Sequence, residues 1–366
     1  MMSSTSRFAS CLVACNIYVS ASQKTILLDL LKQAQRSAEP VVVVHAFCDL
    51  VYNRSSFHLA GTAQGIAHVA SQLASTAIQQ LRATAAANTN TTTHAEISCD
   101  SASSNTTINA HPHVGSVDHI AVMPLQQGHD YDDDDGSKKP ITSASTMTMT
   151  TTDADFTPKT ASGWAALQIG QSLREKVAQD EKKNLLQVYY YGTATADNTP
   201  LATVRRDRTK FFQSVGSLTT TDLIPSQPSS EITTVGAPLE FAENYNLRCI
   251  CSNKSQVQSL TRYLRERDGG LPGVEALTLP YGDVNKYEVA CNLLKPTIAS
   301  ADDIWIRAQA WQQQQQSSNV IIERGYRVGT TAEECLQVWK SVQLNQEARV
   351  LHDSEVKERL EGYIQS

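Results

Sequence analysis

Apolar residues recur along this chain in two rhythms, the period of two of a half-covered strand and the three-to-four spacing of a helix with one buried face. Leu12 to Val19 reads as a strand. Ser22 stands where a helix cap belongs, and Ile26, Leu27, Leu30, Leu31 and Ala34 then recur at helical spacing up to Arg36, before Pro40 stops the helix. Val41 to Val44 is an unbroken β-branched run, the composition of a central strand. Phe47 to Arg54 follows as a polar connection, with a further strand through Leu59. From Thr62 to Leu81, Ile66, Val69, Ala70, Leu73, Ala77 and Leu81 share one helical face.

The pattern then lapses twice. Residues 83–109 are mostly Ala, Thr, Ser and Asn, and residues 128–160 are Asp, Ser and Thr with repeated Thr-Met. Both hold too little apolar surface to offset the entropy of ordering, so they are expected to be disordered inserts. The acidic run Asp130 to Asp135 reads as a solvated loop, since calcium loops space their ligands around a turn glycine. Between the inserts lies a strand, Val117 to Met123, and after them a helix, Ser162 to Gln179, and a strand, Leu185 to Tyr191. Thr203 to Arg206 predicts a short helix or turn, and Thr219 to Ser230, with Pro225 and Pro228, a linker or ligand-side loop.

The second half repeats the opening order. Tyr245 to Cys251 is a strand, Ser252 or Asn253 caps a helix with Val257, Leu260 and Leu264 inward, and Gly269, Gly270 and Pro272 end it. Val274 to Tyr281 and Tyr287 to Leu294 make a hairpin about Gly282-Asp283. A helix from Ala301 to Gln315, a strand from Val320 to Val328, and a capping box at Thr330 to Glu334 complete the series. The order βαββαβ is the ferredoxin-like split unit, and residues 11–124 give it too, with an insertion. The expected fold is therefore α+β, two ferredoxin-like subdomains side by side with a ligand cleft between them. The expected boundaries are 8–234 and 235–350, with 351–366 a C-terminal helix or tail.

Composition narrows the partners. The 366 residues carry 31 Lys plus Arg against 37 Asp plus Glu, and the most compact charge cluster is acidic, which excludes nucleic acid as the expected partner. Eight cysteines, at 11, 15, 48, 99, 249, 251, 291 and 335, form no Cys-x-x-Cys pair, so buried free thiols in a reducing, cytoplasmic setting are expected. Residues 7–19 imitate a secretory signal, but with one basic residue and with Asn16 inside the apolar run they read as a strand. No apolar run reaches the ~18 residues of a membrane span.

Candidate chemistry concentrates in Ala110-His-Pro-His-Val-Gly-Ser-Val-Asp-His-Ile120. A histidine titrates near neutral pH, and the adjoining proline restricts its backbone, so His111 is placed to hold a proton carrier still.

Several blocks resemble the formiminotransferase domain, and in particular the plant and algal formiminotransferase-like proteins that lack a cyclodeaminase half. They are Asp49-Leu-Val-Tyr-Asn53-Arg54; His111-Pro-His113-Val-Gly115 with Asp118; Val188-Tyr-Tyr-Tyr191 with Thr203-Val-Arg-Arg206; Val235-Gly236-Ala237 with Asn244-Tyr-Asn246-Leu247; and Gly269-Gly-Leu-Pro272 through Glu288-Val-Ala-Cys-Asn292. The resemblance implies a tunnel for folate between two αβ subdomains and transfer of a formimino group from formiminoglutamate to tetrahydrofolate, which acts as substrate, with no metal. It implies His111 as proton carrier and Asp49 as the carboxylate that orients it or raises its basicity. Asn53, Arg54, His113, Gly115, Asp118, Arg205, Asn244, Asn246 and Asn292 would bind substrate. Pro225, Ser226, Gln227, Pro228 and Gly236 would line the folate side. Family members dimerise, so a homodimer is the oligomeric expectation.

Two family arginines are replaced, by His113 after His-Pro and by Pro238 after Gly-Ala. Histidine is a shorter donor with a conditional charge, and proline offers none. The run Pro238 to Glu243, a central strand by resemblance, carries two acids. Three readings stay open: a folate-dependent transferase, a catalytically degenerate module that binds folate or another small molecule, and an interaction scaffold. For Asn244, Asn246 and Asn292, strand-end hydrogen bonding is the plain alternative to ligand contact.

Overall fold

The alternation along the chain resolves into two sheets. The computed structural model describes residues 8–91, 111–125, 160–178, 186–212, 231–314 and 319–344. The first unit runs β1 (Leu12–Val19), α1 (Lys24–Gln35), β2 (Val41–Asp49), β3 (Arg54–Thr62), α2 (Ala63–Thr91) and β4 (Val117–Pro124). It continues through α3 (Ala161–Ala178), β5 (Leu186–Gly192), α4 (Leu201–Arg208) and β6 (Glu231–Ala237). These strands make a six-stranded sheet in the order β2-β3-β1-β4-β6-β5. Its first four strands are antiparallel neighbours, whereas β6 pairs parallel with both β4 and β5.

The second unit runs β7 (Glu243–Ile250), α5 (Lys254–Leu264), β8 (Val274–Pro280), β9 (Lys286–Leu293), α6 (Ala301–Gln314) and β10 (Ile321–Val328), and α7 (Ala332–Leu344) follows. Its sheet order is β10-β7-β9-β8, and β1 to β4 repeat that arrangement as β4-β1-β3-β2. Both βαββαβ units and the α+β class are thus as the hydrophobic rhythm predicts. The caps at Asn253, which accepts from Ser255 N (2.9 Å), and at Thr331 with Glu334 are also formed.

Five local expectations change. β2 continues to Asp49, so the polar connection shrinks to residues 50–53, closed by Asn53 in a left-handed conformation (φ 48°). Ser22 does not cap α1; its hydroxyl donates to Asn53 Oδ1 (2.8 Å), and Gln23 occupies the cap position. α2 runs to Thr91, because alanine is a strong helix former even where the sequence looks too polar to pack, so the expected insert at 83 begins inside a helix. The boundary expected at 234/235 lies inside β6, whose pairing with β4 and β5 assigns residues 235–237 to the first sheet. Residues 238–242 form no strand, so of that run's two acids only Glu243 enters a sheet, opening β7 with its carboxylate 3.5 Å from Arg327. The remainder of the inserts, the acidic run and the C-terminal tail lie outside the described residues.

Three apolar clusters hold this arrangement. One side of the first sheet packs Cys15, Ile17, Phe57, Leu59, Ile120 and Val122 against α1, α2 and α3. The second sheet packs Leu247, Cys249, Val289 and Cys291 against α5 and α6. Each fully buried large side chain contributes about 1.5–3 kcal/mol of transfer free energy. The third cluster ties the units together: Cys335, Leu336 and Trp339 of α7 cover Ala14, Val42, Val44, Ala60 and Met123 on the other face of the first sheet. That cover extends over only part of the face. The rest is polar and meets the second sheet.

Candidate functional site

The polar remainder follows from strand alternation. Phe57 and Leu59 of β3 point into the helix-side core, so Arg54, Ser56 and His58 face the other way. β1 contributes Asn16 and Tyr18 beside them. Opposite, β7 offers Asn244, Asn246 and Arg248, β9 Glu288 and Asn292, and β10 Tyr326, because their alternate neighbours fill the second core. The two faces meet in a seam. Tyr18 Oη donates to Asn244 Oδ1 (3.2 Å), the rings of Tyr52 and Tyr281 meet edge to face at 5.0 Å, and His58 Nδ1 lies 3.2 Å from Thr330 Oγ1.

Asp118 reaches the seam through an irregularity. β1 pairs Tyr18 with His119 but Val19 with Val117, so Asp118 is the extra residue of a β-bulge. Its carboxylate is fully buried and saturated: Oδ1 accepts Val114 N (3.0 Å), and Oδ2 accepts Arg54 Nη2 (2.8 Å) and Arg205 Nη2 (3.0 Å). Burial alone would raise its pKa, but the Arg205 and Arg54 guanidiniums outweigh it and hold the carboxyl well below the usual range. Arg205 comes from α4 and lies over the Phe211 ring at 4.0 Å.

His111 sits against this ion network. Arg54 Nη1 is 2.8 Å from its Nδ1, the Pro112 carbonyl oxygen is 2.7 Å from the same atom, and the Tyr52 ring packs on it edge to face at 5.4 Å. The loop carrying it is fixed by Gly115, whose backbone lies so close to β6 that an added Cβ would stand 2.2 Å from the Ile232 carbonyl oxygen. Ser20 Oγ donates to the Gly115 carbonyl (2.7 Å), and Ser116 N donates to Glu231 (3.0 Å), itself paired with Arg82. Burial first, and then Arg54, push the His111 pKa well below 6.5, so its ring is neutral.

This geometry corrects the expected Asp49–His111 pair. Between these two described residues no hydrogen bond or ion pair forms. Asp49 Oδ1 accepts Tyr52 N (2.9 Å), and burial raises the carboxyl's pKa against that bond and the Arg248 charge. The carboxylate in the histidine's network is Asp118, one residue removed through Arg54, and the net effect on His111 is to lower its basicity.

The remaining candidates separate. Asn53 Oδ1 is engaged by Ser22 at an exposed turn, and His113 is exposed with its ring against the His111 carbonyl (3.3 Å). Asn244 Nδ2 donates to Asn292 Oδ1 (2.7 Å), and Asn246 Nδ2 to Glu288 Oε1 (2.7 Å), so these amides order the second wall. Gly236 leaves room for the Tyr191 ring, whose Cδ1 would stand 2.3 Å from an added Cβ. Pro225, Ser226, Gln227 and Pro228 lie outside the described residues.

Sequence reading missed several seam residues. His119 stacks on Tyr18 at 5.4 Å and reaches Tyr191 Oη at 2.7 Å. Arg248 lies over Tyr281 at 3.5 Å and donates to Tyr326 Oη (2.9 Å), while Tyr326 donates to the buried Glu288. Burial raises Glu288, although Tyr326 and Arg248 oppose it. Arg205 Nε, Arg248 Nε and the Tyr52 hydroxyl are buried donors without a protein acceptor. Among the described residues no group of His, Cys, Asp and Glu is placed to hold a metal, and no helix is long and apolar enough to cross a membrane. Two surface depressions, of about 440 Å³ by α1 and about 500 Å³ at the start of α7, are lined by other residues.

Residues 12–87 match the family model described as Formiminotransferase domain, N-terminal subdomain. Over 309 residues, 79% of this chain and 84% of the relative, the sequence is 24% identical to a "Formiminotransferase cyclodeaminase-like protein" of Arabidopsis thaliana. The chain is thus similar to a formiminotransferase-type protein over most of its length.

Proposed function

We propose that the seam binds a folate-type small molecule and that the protein transfers a formimino group from formiminoglutamate to tetrahydrofolate, with His111 as the proton carrier. The carrying observation is that His111 stands in the seam between an Arg54–Asp118–Arg205 ion network and the Tyr52 ring. The transfer needs a donor and acceptor of protons. A ring nitrogen attacks the formimino carbon, the resulting tetrahedral centre sheds the glutamate amine, and a proton leaves the attacking nitrogen as another reaches the departing one. A neutral imidazole with one bare and one protonated nitrogen handles both steps. Two guanidiniums against one carboxylate leave a net positive charge suited to the carboxylates of either substrate. Tyr18, Tyr52, His119 and Tyr281 supply flat faces for a heteroaromatic ring.

The test is a coupled assay of formimino transfer from formiminoglutamate to tetrahydrofolate with wild type and His111→Ala. Activity lost by about 10²–10⁴-fold in the variant is the expected result. Equal rates would remove His111 from the chemistry.

A second reading, binding without transfer, is favoured by the exposure of His113 where the family has an arginine, and by Pro238 in a loop. It predicts folate binding with no turnover in either protein.

A further inference from the structure

His111 Nδ1 has two neighbours that cannot both be satisfied. The Arg54 guanidinium, 2.8 Å away, can only donate to it, whereas the Pro112 carbonyl oxygen, 2.7 Å away, can only accept from it. With Nδ1 bare, Arg54 is satisfied and the ring proton sits on Nε2. With Nδ1 protonated, the Pro112 carbonyl is satisfied and Nε2 carries a lone pair. One proton therefore decides whether the other nitrogen acts as donor or acceptor.

We propose that Arg54 is a positioning residue that holds His111 in its Nε2–H form, and that an anionic substrate group drawing the guanidinium away switches the ring to the Nδ1–H form, with Nε2 bare as a base. This rests on the reading of His111 as proton carrier and adds how its state is set. The switch breaks no covalent bond of the protein and changes no net charge: the ring loses the proton from Nε2 and gains one at Nδ1 through solvent. Arg54 is suited to the role because its other arm is anchored. Nη2 bonds Asp118 Oδ2, which Arg205 also holds, so Nη1 can leave His111 while the buried carboxylate stays paired. The charged groups around the ring are Arg54 from β3, Asp118 from β4 and Arg205 from α4, and the Tyr52 and Phe211 rings that also pack on it are uncharged at neutral pH. Neither Arg54 nor Arg205 favours an imidazolium, which keeps the ring in the neutral range where tautomers compete.

Long-range ¹H–¹⁵N correlation spectra of histidine-labelled protein, with His111→Gln to assign the signal, report the tautomer directly. Ligand-free wild type at pH 7 is expected to show Nε2–H. Arg54→Met is expected to show Nδ1–H and a His111 titration midpoint moved up towards 6.5. Added formiminoglutamate is expected to move the wild-type signal towards Nδ1–H. A ligand-free wild type already in the Nδ1–H form overturns the proposal, and so does an Arg54→Met spectrum without change. If Arg54→Met does not fold, Arg54→Lys, which keeps a cation for Asp118 on a shorter donor, takes its place under the same criteria. A formiminoglutamate titration without effect overturns the release step. The ligand-free spectra need no turnover, so a chain unable to transfer would defeat the proposed reaction and leave the Arg54 result standing.

Discussion

The two βαββαβ units share a strand order yet present different walls to the seam. The first presents histidines and a buried carboxylate clamped by two arginines; the second presents an amide ladder and a glutamate bonded to tyrosine, arginine and asparagine. The difference begins in register. In the second unit the wall residues of β7 and β9 stand where plain alternation puts them, in an unbroken register, while Tyr326 of β10 follows a shift between Ile322 and Arg324. In the first, the bulge at Asp118 and the shift after Val43, which brings His45 opposite His58, turn ionisable side chains onto the face that α7 leaves uncovered. The evenly paired β7 and β9 supply a scaffold, and the irregular strands of the first sheet aim the chemistry.

That contrast is open to attack from several sides. Replacing His111 by alanine removes the proposed proton carrier while cutting little apolar contact, so turnover should fall about 10²–10⁴-fold with a small change in stability. Asp118→Asn leaves two buried guanidiniums without their anion and should cost about 3–5 kcal/mol in denaturant unfolding. The matching change in the second unit, Glu288→Gln, keeps acceptor and donor atoms near Asn246 and Tyr326 but removes the anion from Arg248 at 3.4 Å, and should cost less, about 1.5–3 kcal/mol. Similar losses for the two would erase the distinction between the walls. Gly236→Ala, whose Cβ would meet the Tyr191 ring, should cost about 1–3 kcal/mol and loosen the Tyr191–His119 bond.

Acid should act in opposite senses on the buried histidines of the first unit and the buried glutamates of the second. His58, His111 and His119 are held neutral, chiefly by burial, with pKa values well below 6.5. The unfolded chain binds more protons between those values and 6.5, so stability is lost as pH falls through this window, by up to about 1.4 kcal/mol per histidine per pH unit. Glu275 and Glu288 are raised by burial, so the folded state binds more protons there, and their contribution falls as pH rises above 4.5. Thermal unfolding from pH 8 to 5 should show the histidine slope, reduced in His58→Gln. The smallest expected effect is at the exposed hairpin tip, where Val284→Ser should change stability by no more than about 0.5 kcal/mol.

The sequence made the scaffold legible because period and cap are local. Both split units, the Asn253 and Thr331 caps and the hairpin at Gly282 could be read from neighbouring residues. The His111 stretch was legible for the same reason, being one short block. What joins it to the rest was hidden by distance: Arg205 lies 87 residues from Asp118, and Tyr18 meets Asn244 across 226. A bulge leaves no mark in a period-two pattern, so Asp118 read as one binding residue among several and Asp49 was given its place. The amides of the second wall were legible, but Arg248, Glu288 and Tyr326 were not, because they come from three strands and look like ordinary solvent-side residues. β6 was overlooked because its Thr-containing sequence follows a proline-rich stretch and pairs with strands far away in sequence.

The proposed reaction requires that a folate-type molecule binds in the seam. Calorimetric titration of folinic acid into wild type, Arg205→Ala and Arg36→Ala tests it most directly, since Arg205 belongs to the seam and Arg36 lines the depression by α1. Binding by wild type and Arg36→Ala, weakened at least about tenfold in Arg205→Ala, a loss of about 1.4 kcal/mol, is the predicted result. No binding by wild type, or equal binding by wild type and Arg205→Ala, would contradict it.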